Sequence, residues 1–497
     1  MVLSSDGLLH QIIKGSALTT AGLLFAKLFG ALFALLLARM LGPEGLGQFN
    51  LSVLLSSWFT VLGLFSIQTV VVQKMAEVEP SSQNFKKIIS AALFMGVVLG
   101  LIVSGLHFAL SGIIYLFFNK QASLLHIQLS SVIIFGGILF NTILGIERGF
   151  KHFGNYAILE SGKAILTLVI SAALLFIGYK VSAGIAALVV APIVMSGTVI
   201  FGLSKYYDRD FWSKIIPMVK LGLPITLLSI AIVVLLNSDR LLLGALQSKA
   251  DVGLYSVGIT IVTFIGLFLP TAVKNTIFPF AVQTAAGNQI EKTRYLLKKM
   301  MIYYISLLGY IVLPLMLFRN EIIVLLFGEN FIAAADLFAI LLFAAVFMAL
   351  YGLAHSFILS QNKVKEATIA TLISIAVAIP LYIVLIARFG TIGACFATII
   401  STGMLSVSYI IILKKAIRCN FKKIILLIAV VFLLMSAAFF SMESQIARAA
   451  YLFGLMAAHT VFLYVFGYFT KEIEIVAEKL KTSAAAGMIF KRLFKRQ

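Results

Sequence analysis

The chain of 497 residues is 61% hydrophobic and 12% charged, with a mean hydropathy of +1.08 and a formal net charge of +20. A water-soluble domain averages about 45–50% apolar and about 25% charged residues, so this much apolar surface calls for lipid as solvent and excludes an ordinary soluble enzyme. The basic residues sit in short clusters between apolar runs, which makes them topology determinants and excludes nucleic acid as the partner.

Runs of about 20 apolar residues, the length that crosses roughly 30 Å of hydrocarbon, recur along the chain. In order they cover residues 16–38, 47–72, 88–110, 122–145, 156–178 and 181–203, then, after a polar link, 218–243, 252–281, 300–318, 331–359, 367–387 and 391–413. Two more follow at 424–440 and 449–469. The first run is too long for a signal-peptide core and lacks a small-residue cleavage site, so it is read as a retained helix. The prediction is an all-α integral membrane protein of about fourteen transmembrane helices. Its parts are an N-terminal lobe (1–203), a cytoplasmic linker (204–217), a C-terminal lobe (218–415), helices thirteen and fourteen (416–470) and a cytoplasmic basic tail (471–497). With the N-terminus inside, 28 of the 39 Lys and Arg residues fall in cytoplasmic loops, 8 outside and 3 within spans (Lys27, Lys163, Lys274). The positive-inside rule then places both termini in the cytoplasm, in a multi-pass protein of the cytoplasmic membrane.

A shift of 206 residues brings Gly47-Gln48-Phe49 onto Gly253-Leu254-Tyr255 and Leu35-Leu36-Leu37 onto Leu241-Leu242-Leu243; Gly184 meets Gly393 after a drift of three. These matches fall at corresponding places in two six-span halves, the arrangement of many transporters. An even number of spans per half keeps both halves in one orientation, so the expected two-fold axis runs along the membrane normal, with a cleft between the lobes.

Enzyme chemistry is missing from the sequence. His10, His107, His126, His152, His355 and His459 are far apart, and no H-E-x-x-H, G-x-S-x-G or P-loop pattern occurs. Cys395 and Cys419 have no metal or disulfide spacing. No catalytic residue, metal or cofactor is expected, and a coupling Na⁺ or H⁺ is left open. His107 and His355 are read as hydrogen-bonded interior side chains, and Glu160 with Lys163 as an i,i+3 pair on one helix. In the tail, Phe490, Leu493 and Phe494 share a face opposite most of Lys491, Arg492, Lys495 and Arg496, the pattern of an interfacial anchor.

The segment Ala38-Arg39-Met40-Leu41-Gly42-Pro43-Glu44-Gly45-Leu46-Gly47-Gln48-Phe49 resembles the first-loop signature of the polysaccharide transporter family, a branch of the multidrug, oligosaccharidyl-lipid and polysaccharide exporter superfamily. Its second-half counterpart resembles Asn237-Ser238-Asp239-Arg240-Leu241-Leu242-Leu243-Gly244 followed by Val252-Gly253-Leu254-Tyr255-Ser256. The resemblance implies a flippase, working as a monomer by alternating access, that moves a polyprenyl-diphosphate-linked oligosaccharide from the inner to the outer leaflet. Polysaccharide assembly enzymes are its candidate partners. Taken on their own residues, Gly42-Pro43-Glu44-Gly45 is a turn between two helices and Asp239-Arg240 is a local ion pair at an outer helix end, beside a gating or substrate role for that pair. Multidrug or cation efflux by the same fold is the alternative, and a membrane-embedded glycan polymerase is a third reading. Cation export needs acids deep in the helices, whereas the deep charges here are lysines.

Lys27 lies eleven residues from either end of its span, where an unpaired ammonium costs roughly 2.5–3.5 kcal/mol on insertion scales unless it reaches water or a counter-charge. Lys274 lies within the eighth span and aligns with Gln68 at the shift of 206. The expected substrate site is therefore Lys27, Lys274 and Gln68 lining the cleft, with Asp239 and Arg240 near its outer end, beside the plainer alternative that each lysine snorkels or pairs with a buried acid. There the lysines attract a diphosphate, as cationic cavity residues do in the lipid II flippases that the chain resembles.

Overall fold

A computed structural model describes the backbone of residues 5–268, 290–361, 363–439 and 444–468, with side chains from Gly22 onward. Its helices are α1 (Ser5–Leu64), α2 (Ile67–Ala76), α3 (Gln83–Phe117), α4 (Leu124–Gly149), α5 (Phe153–Ile177), α6 (Lys180–Leu203), α7 (Trp212–Leu246), α8 (Lys249–Thr263), α9 (Ile290–Leu317), α10 (Arg319–Phe327), α11 (Ala334–Ser360), α12 (Val364–Ile417), α13 (Lys422–Phe439) and α14 (Gln445–Val465). Among the described residues, 12 continuous helical segments are long and apolar enough to cross a membrane. Two of these hold a pair of spans each, joined where Gly42 (φ 66°) and Gly390 (φ 57°) take left-handed backbone, which brings the spans to the fourteen expected. Lys274, the end of the eighth predicted span and the basic amphipathic tail lie outside the described residues.

Hydrocarbon offers no partner for a free N–H or C=O, which is why nearly everything between the loops is helix. Helix starts are capped from within: Ser82 Oγ accepts the Phe85 amide, and Ser248 and Asp251 form a reciprocal capping box at the head of α8. Hydroxyls inside the helices return to the carbonyl four residues back, as in Ser52 to Gln48, Thr142 to Ile138 and Thr226 to Gly222. The side chains of Phe176, Phe201 and Ile446 are 79%, 82% and 83% exposed, a surface that only lipid would cover.

The chain divides into two compact units. The first runs up to Leu297 and resumes over Arg319–Asn420. Within it, α1 packs on α5, α3 on α4 and α4 on α6 to form one lobe, while α7 and α11 pack on α12 and α8 on α11 to form the other. The first lobe is filled by Ile67, Val71, Ile89, Phe140, Ile143 and their neighbours. His107 is fully buried there, its Nδ1 2.9 Å from Ser131 Oγ and its ring edge-on to Phe59, as an interior histidine was expected to be. The second unit joins Lys298–Phe318 to the chain from Phe421 onward. In it, His459 of α14 reaches the Ser306 carbonyl (3.1 Å), and Tyr310 and Thr460 share a hydroxyl bond of 2.7 Å.

Candidate translocation site

The two lobes of the first unit meet at one end, here termed the Gly42 end, in a crossing that repeats itself. A Cβ on Gly47 would lie 1.7 Å from the Lys249 carbonyl oxygen, and one on Gly253 would lie 1.9 Å from the Pro43 carbonyl oxygen. Gly47 and Gly253 are 206 residues apart, and so are Pro43 and Lys249. Each lobe therefore gives the same glycine and the same carbonyl to its partner, which is how a two-fold contact looks when the two halves belong to one chain. Only glycine lets the backbones approach this closely.

Polar bonds surround the crossing. Asn119 Nδ2 donates to the Ala245 carbonyl at 2.9 Å and Gln121 Nε2 to the Gln247 carbonyl at 2.7 Å, both from the first lobe to the second. Arg39 Nε caps the last turn of α10 through the Leu326 carbonyl (2.8 Å), where a cation also suits the helix dipole. Lys249 and Glu44 pair at 3.1 Å, but with 40% and 70% of their side chains exposed they contribute little beside the backbone contacts.

A second meeting point lies nearer the opposite end, the one carrying the turn Ser204–Tyr206. Between α1 and α2, Phe65 and Ser66 both adopt left-handed backbone (φ 47° and 52°), breaking the helix without a proline or glycine. The break brings Ser66 Oγ within 2.9 Å of Thr226 Oγ1 and seats the Phe65 carbonyl against Gly222 of α7. Ser66 is nineteen residues from Gly47, about 28 Å along a helix.

Between these depths the first lobe carries a charge cluster. Gly22 of α1 crosses Ala157 of α5 at contact distance, and Ser161 Oγ donates to the Gly22 carbonyl at 3.3 Å. The crossing brings Lys27, exposed on α1, under the influence of Glu160 and Lys163 on α5. Lys163 pairs with Glu160 at 3.2 Å and stands 4.4 Å above the ring of buried Phe140. Among the described residues, Lys27 and Lys163 both lie under the influence of Glu160. The i,i+3 pair of Glu160 and Lys163 forms as expected, and Lys27 lies within its electrostatic reach. Gln68 is half-buried on α2, its backbone packed on Gly145 of α4.

The second lobe has a buried polar chain instead. Asp239 is 1% exposed and accepts from Tyr255 Oη at 2.8 Å; Tyr255 Oη lies 2.7 Å from Thr398 Oγ1, which lies 3.0 Å from Tyr382 Oη. If Tyr382 donates to Thr398, Thr398 to Tyr255 and Tyr255 to Asp239, each hydroxyl proton has a partner. Arg240 Nε stands 3.9 Å from Asp239 and its guanidinium also reaches Asn237 Oδ1, so the expected ion pair is present, with its carboxylate buried in the lobe interior. At the shift of 206, Asp239 and Tyr255 correspond to Phe33 and Phe49, which meet edge to face at 6.1 Å in the first lobe. The same scaffold position is filled by aromatic packing on one side and by a carboxylate network on the other, so the fold itself does not demand the polar version. Asp239→Ala leaves the fully buried Tyr255 hydroxyl without its acceptor and is expected to cost about 1–3 kcal/mol, seen as a lowered melting midpoint of the purified protein, with Asp239→Asn milder. Equal midpoints for Asp239→Ala and the parent would contradict the network.

The sequence and the fold are both shared with known proteins. The profile of the polysaccharide biosynthesis protein family matches residues 12–285. The probable low-salt glycan biosynthesis flippase Agl15 of Haloferax volcanii is 24% identical over 184 residues, a match that spans 37% of this chain and only 39% of that protein. Among solved structures, the lipid II flippase MurJ in its inward closed conformation superposes with a TM-score of 0.73 at 14% identity, over 92% of this chain and 100% of that one. An inward-facing multidrug resistance MATE transporter of the MOP superfamily superposes with a TM-score of 0.63 at 13% identity, over 79% of this chain and 94% of that one.

Proposed function

The chain belongs to the polysaccharide biosynthesis protein family, and from that premise we propose that it flips a polyprenyl-diphosphate-linked oligosaccharide from the inner to the outer leaflet of the cytoplasmic membrane. The fold is that of the flippase-type transporters of the MOP superfamily. The observation that carries the finer reading is the cluster of Lys27, Glu160 and Lys163: net positive, placed on α1 and α5 at a depth between the two interlobe contacts, and suited to a diphosphate rather than to a cation.

In this reading the Ser204–Tyr206 end faces the cytoplasm, where the basic loops collect, and the Gly42 end faces outward. The carrier lipid enters with its diphosphate drawn to Lys27, while Lys163, shared with Glu160 and the Phe140 ring, adds a second donor. Lys274 is proposed to act from the second lobe. Rocking of the lobes about the Gly47–Gly253 crossing then exchanges closure at one end for closure at the other. Any coupling to Na⁺ or H⁺ is proposed to be read at Asp239, whose carboxylate is buried in the lobe that rocks.

Loss of the gene is expected to leave the lipid-linked oligosaccharide accumulated on the cytoplasmic face, and restoring the gene is expected to clear it. Normal leaflet distribution of that lipid, with hypersensitivity to cationic drugs instead, would assign the chain to efflux.

A further inference from the structure

A cavity of about 770 Å³ lies on the flank of the first lobe, between α3, the last turn of α6 and the segment leading from α6 into α7. None of its lining residues comes from α1 or α5, so it is separate from the Lys27 cluster. Its volume falls in the range of ligand sites, about 300–1,000 Å³. Leu93, Phe94, Val97, Ile200 and Trp212 form apolar walls, and Arg209 is the one charged residue among those described around it.

The connecting segment is held off the helices in a fixed way. Ser90 Oγ of α3 accepts the Asp208 amide at 2.8 Å and donates to the Tyr206 carbonyl at 3.2 Å, and Lys87 binds Asp210. Phe94 meets Trp212 edge-on at 4.9 Å, and Phe211 stacks on Trp212 at the same distance. The wall is thus built before any ligand arrives.

The surroundings indicate the occupant. Phe201 and Ile216, beside the mouth, are 82% and 65% exposed, so the cavity opens onto a lipid-facing surface. Tyr207 and Trp212 are exposed at the level where such side chains mark the edge of the hydrocarbon. The connecting segment and the first turn of α7 carry three cations (Lys205, Arg209, Lys214) against two acids, and Lys87 reaches the segment from α3. Of the acids, Asp210 is held by Lys87, and Asp208 Oδ1 accepts the Asp210 amide at 2.9 Å. The exposed guanidinium of Arg209 has no acid partner among the described residues. An apolar slot open to hydrocarbon beneath a surplus of positive charge has the two-part chemistry of an anionic phospholipid.

We propose that this cavity is a binding site for one anionic phospholipid, with an acyl chain between α3 and α6 and the headgroup phosphate at Arg209. Because the same segment links the two lobes, the bound lipid ties the composition of the inner leaflet to their relative movement.

The test uses the full-length protein in phosphatidylcholine nanodiscs with phosphatidylglycerol as the probe, and native mass spectrometry counts the lipid retained. Arg209→Gln is expected to weaken phosphatidylglycerol retention about fivefold and to leave phosphatidylcholine unchanged. Leu93→Trp, which fills the slot, is expected to lower retention of both. Arg388→Gln, remote from the cavity, is expected to match the parent, and melting midpoints report whether each variant is folded. Should Leu93→Trp fail to fold, Val97→Phe replaces it. Parental phosphatidylglycerol retention in folded Arg209→Gln, or an equal loss of both lipids in it, overturns the proposal. So does displacement of phosphatidylglycerol by polyprenyl phosphate at equal affinity, which would give the slot to the carried lipid.

Discussion

Replacing Lys27 and Lys274 together by alanine is expected to abolish most transport while leaving the protein at normal abundance in the membrane. A hydrogen bond from an ammonium to a charged oxygen contributes about 1.5–3 kcal/mol, so each lysine lost is expected to reduce transport roughly ten- to a hundredfold. Lys163→Ala is expected to be milder than Lys27→Ala, since Lys163 already divides its charge between Glu160 and the Phe140 ring. Arginine keeps the charge and the donors and is expected to be tolerated at both positions, whereas glutamate repels the diphosphate and is not. Leaflet-resolved measurement of the lipid-linked oligosaccharide in cells carrying each variant checks this series. Parental transport in the double variant would remove the lysines from the mechanism.

Much of the architecture was legible because bilayer thickness sets the length of each apolar run and the loops alternate in charge. The shift of 206 was also visible, and it proved to relate two glycines that touch each other's lobes. Other features were out of reach. Little in Gly63-Leu64-Phe65-Ser66-Ile67 announces where the helix breaks, since Gly63 stays helical and the left-handed residues are Phe65 and Ser66, held by contacts with Gly222 and Thr226, far away in sequence. The Asp239-Arg240 dipeptide reads as an ion pair because neighbours in sequence are assumed to be partners. In the folded chain the carboxylate keeps Arg240 and gains a second partner, Tyr255, sixteen residues on, placed by the packing of α8 on its lobe. Similarly, Glu160 with Lys163 is a local pattern that a sequence displays, whereas their junction with Lys27 depends on where α1 crosses α5. Periodicity and charge are local quantities, and helix crossings are not.

Gly47→Ala and Gly253→Ala are each expected to open the Gly42 end. The atoms that an added methyl would meet are backbone carbonyl oxygens, at 1.7 and 1.9 Å, so no rotamer change in the partner relieves the clash and the lobes themselves have to separate. Overpacking of this kind typically costs about 1–3 kcal/mol, enough to shift the balance between closed and open by roughly five- to a hundredfold. The shift is read with a cysteine at Gln121, which the closed state ties to the Gln247 carbonyl. Labelling by a membrane-impermeant maleimide is expected to accelerate in both glycine variants, and transport is expected to fall because the closed state is underpopulated. Glu44→Gln, which removes only an exposed ion pair, is expected to change labelling little. Gly105→Ala and Gly112→Ala, where an added methyl meets nothing within 4 Å, are expected to behave as the parent and so separate the crossing from any general intolerance of alanine. Because the contact is reciprocal, the two variants are expected to match each other in labelling rate. A large effect at one glycine and none at the other would mean that the lobes do not pivot on a shared crossing.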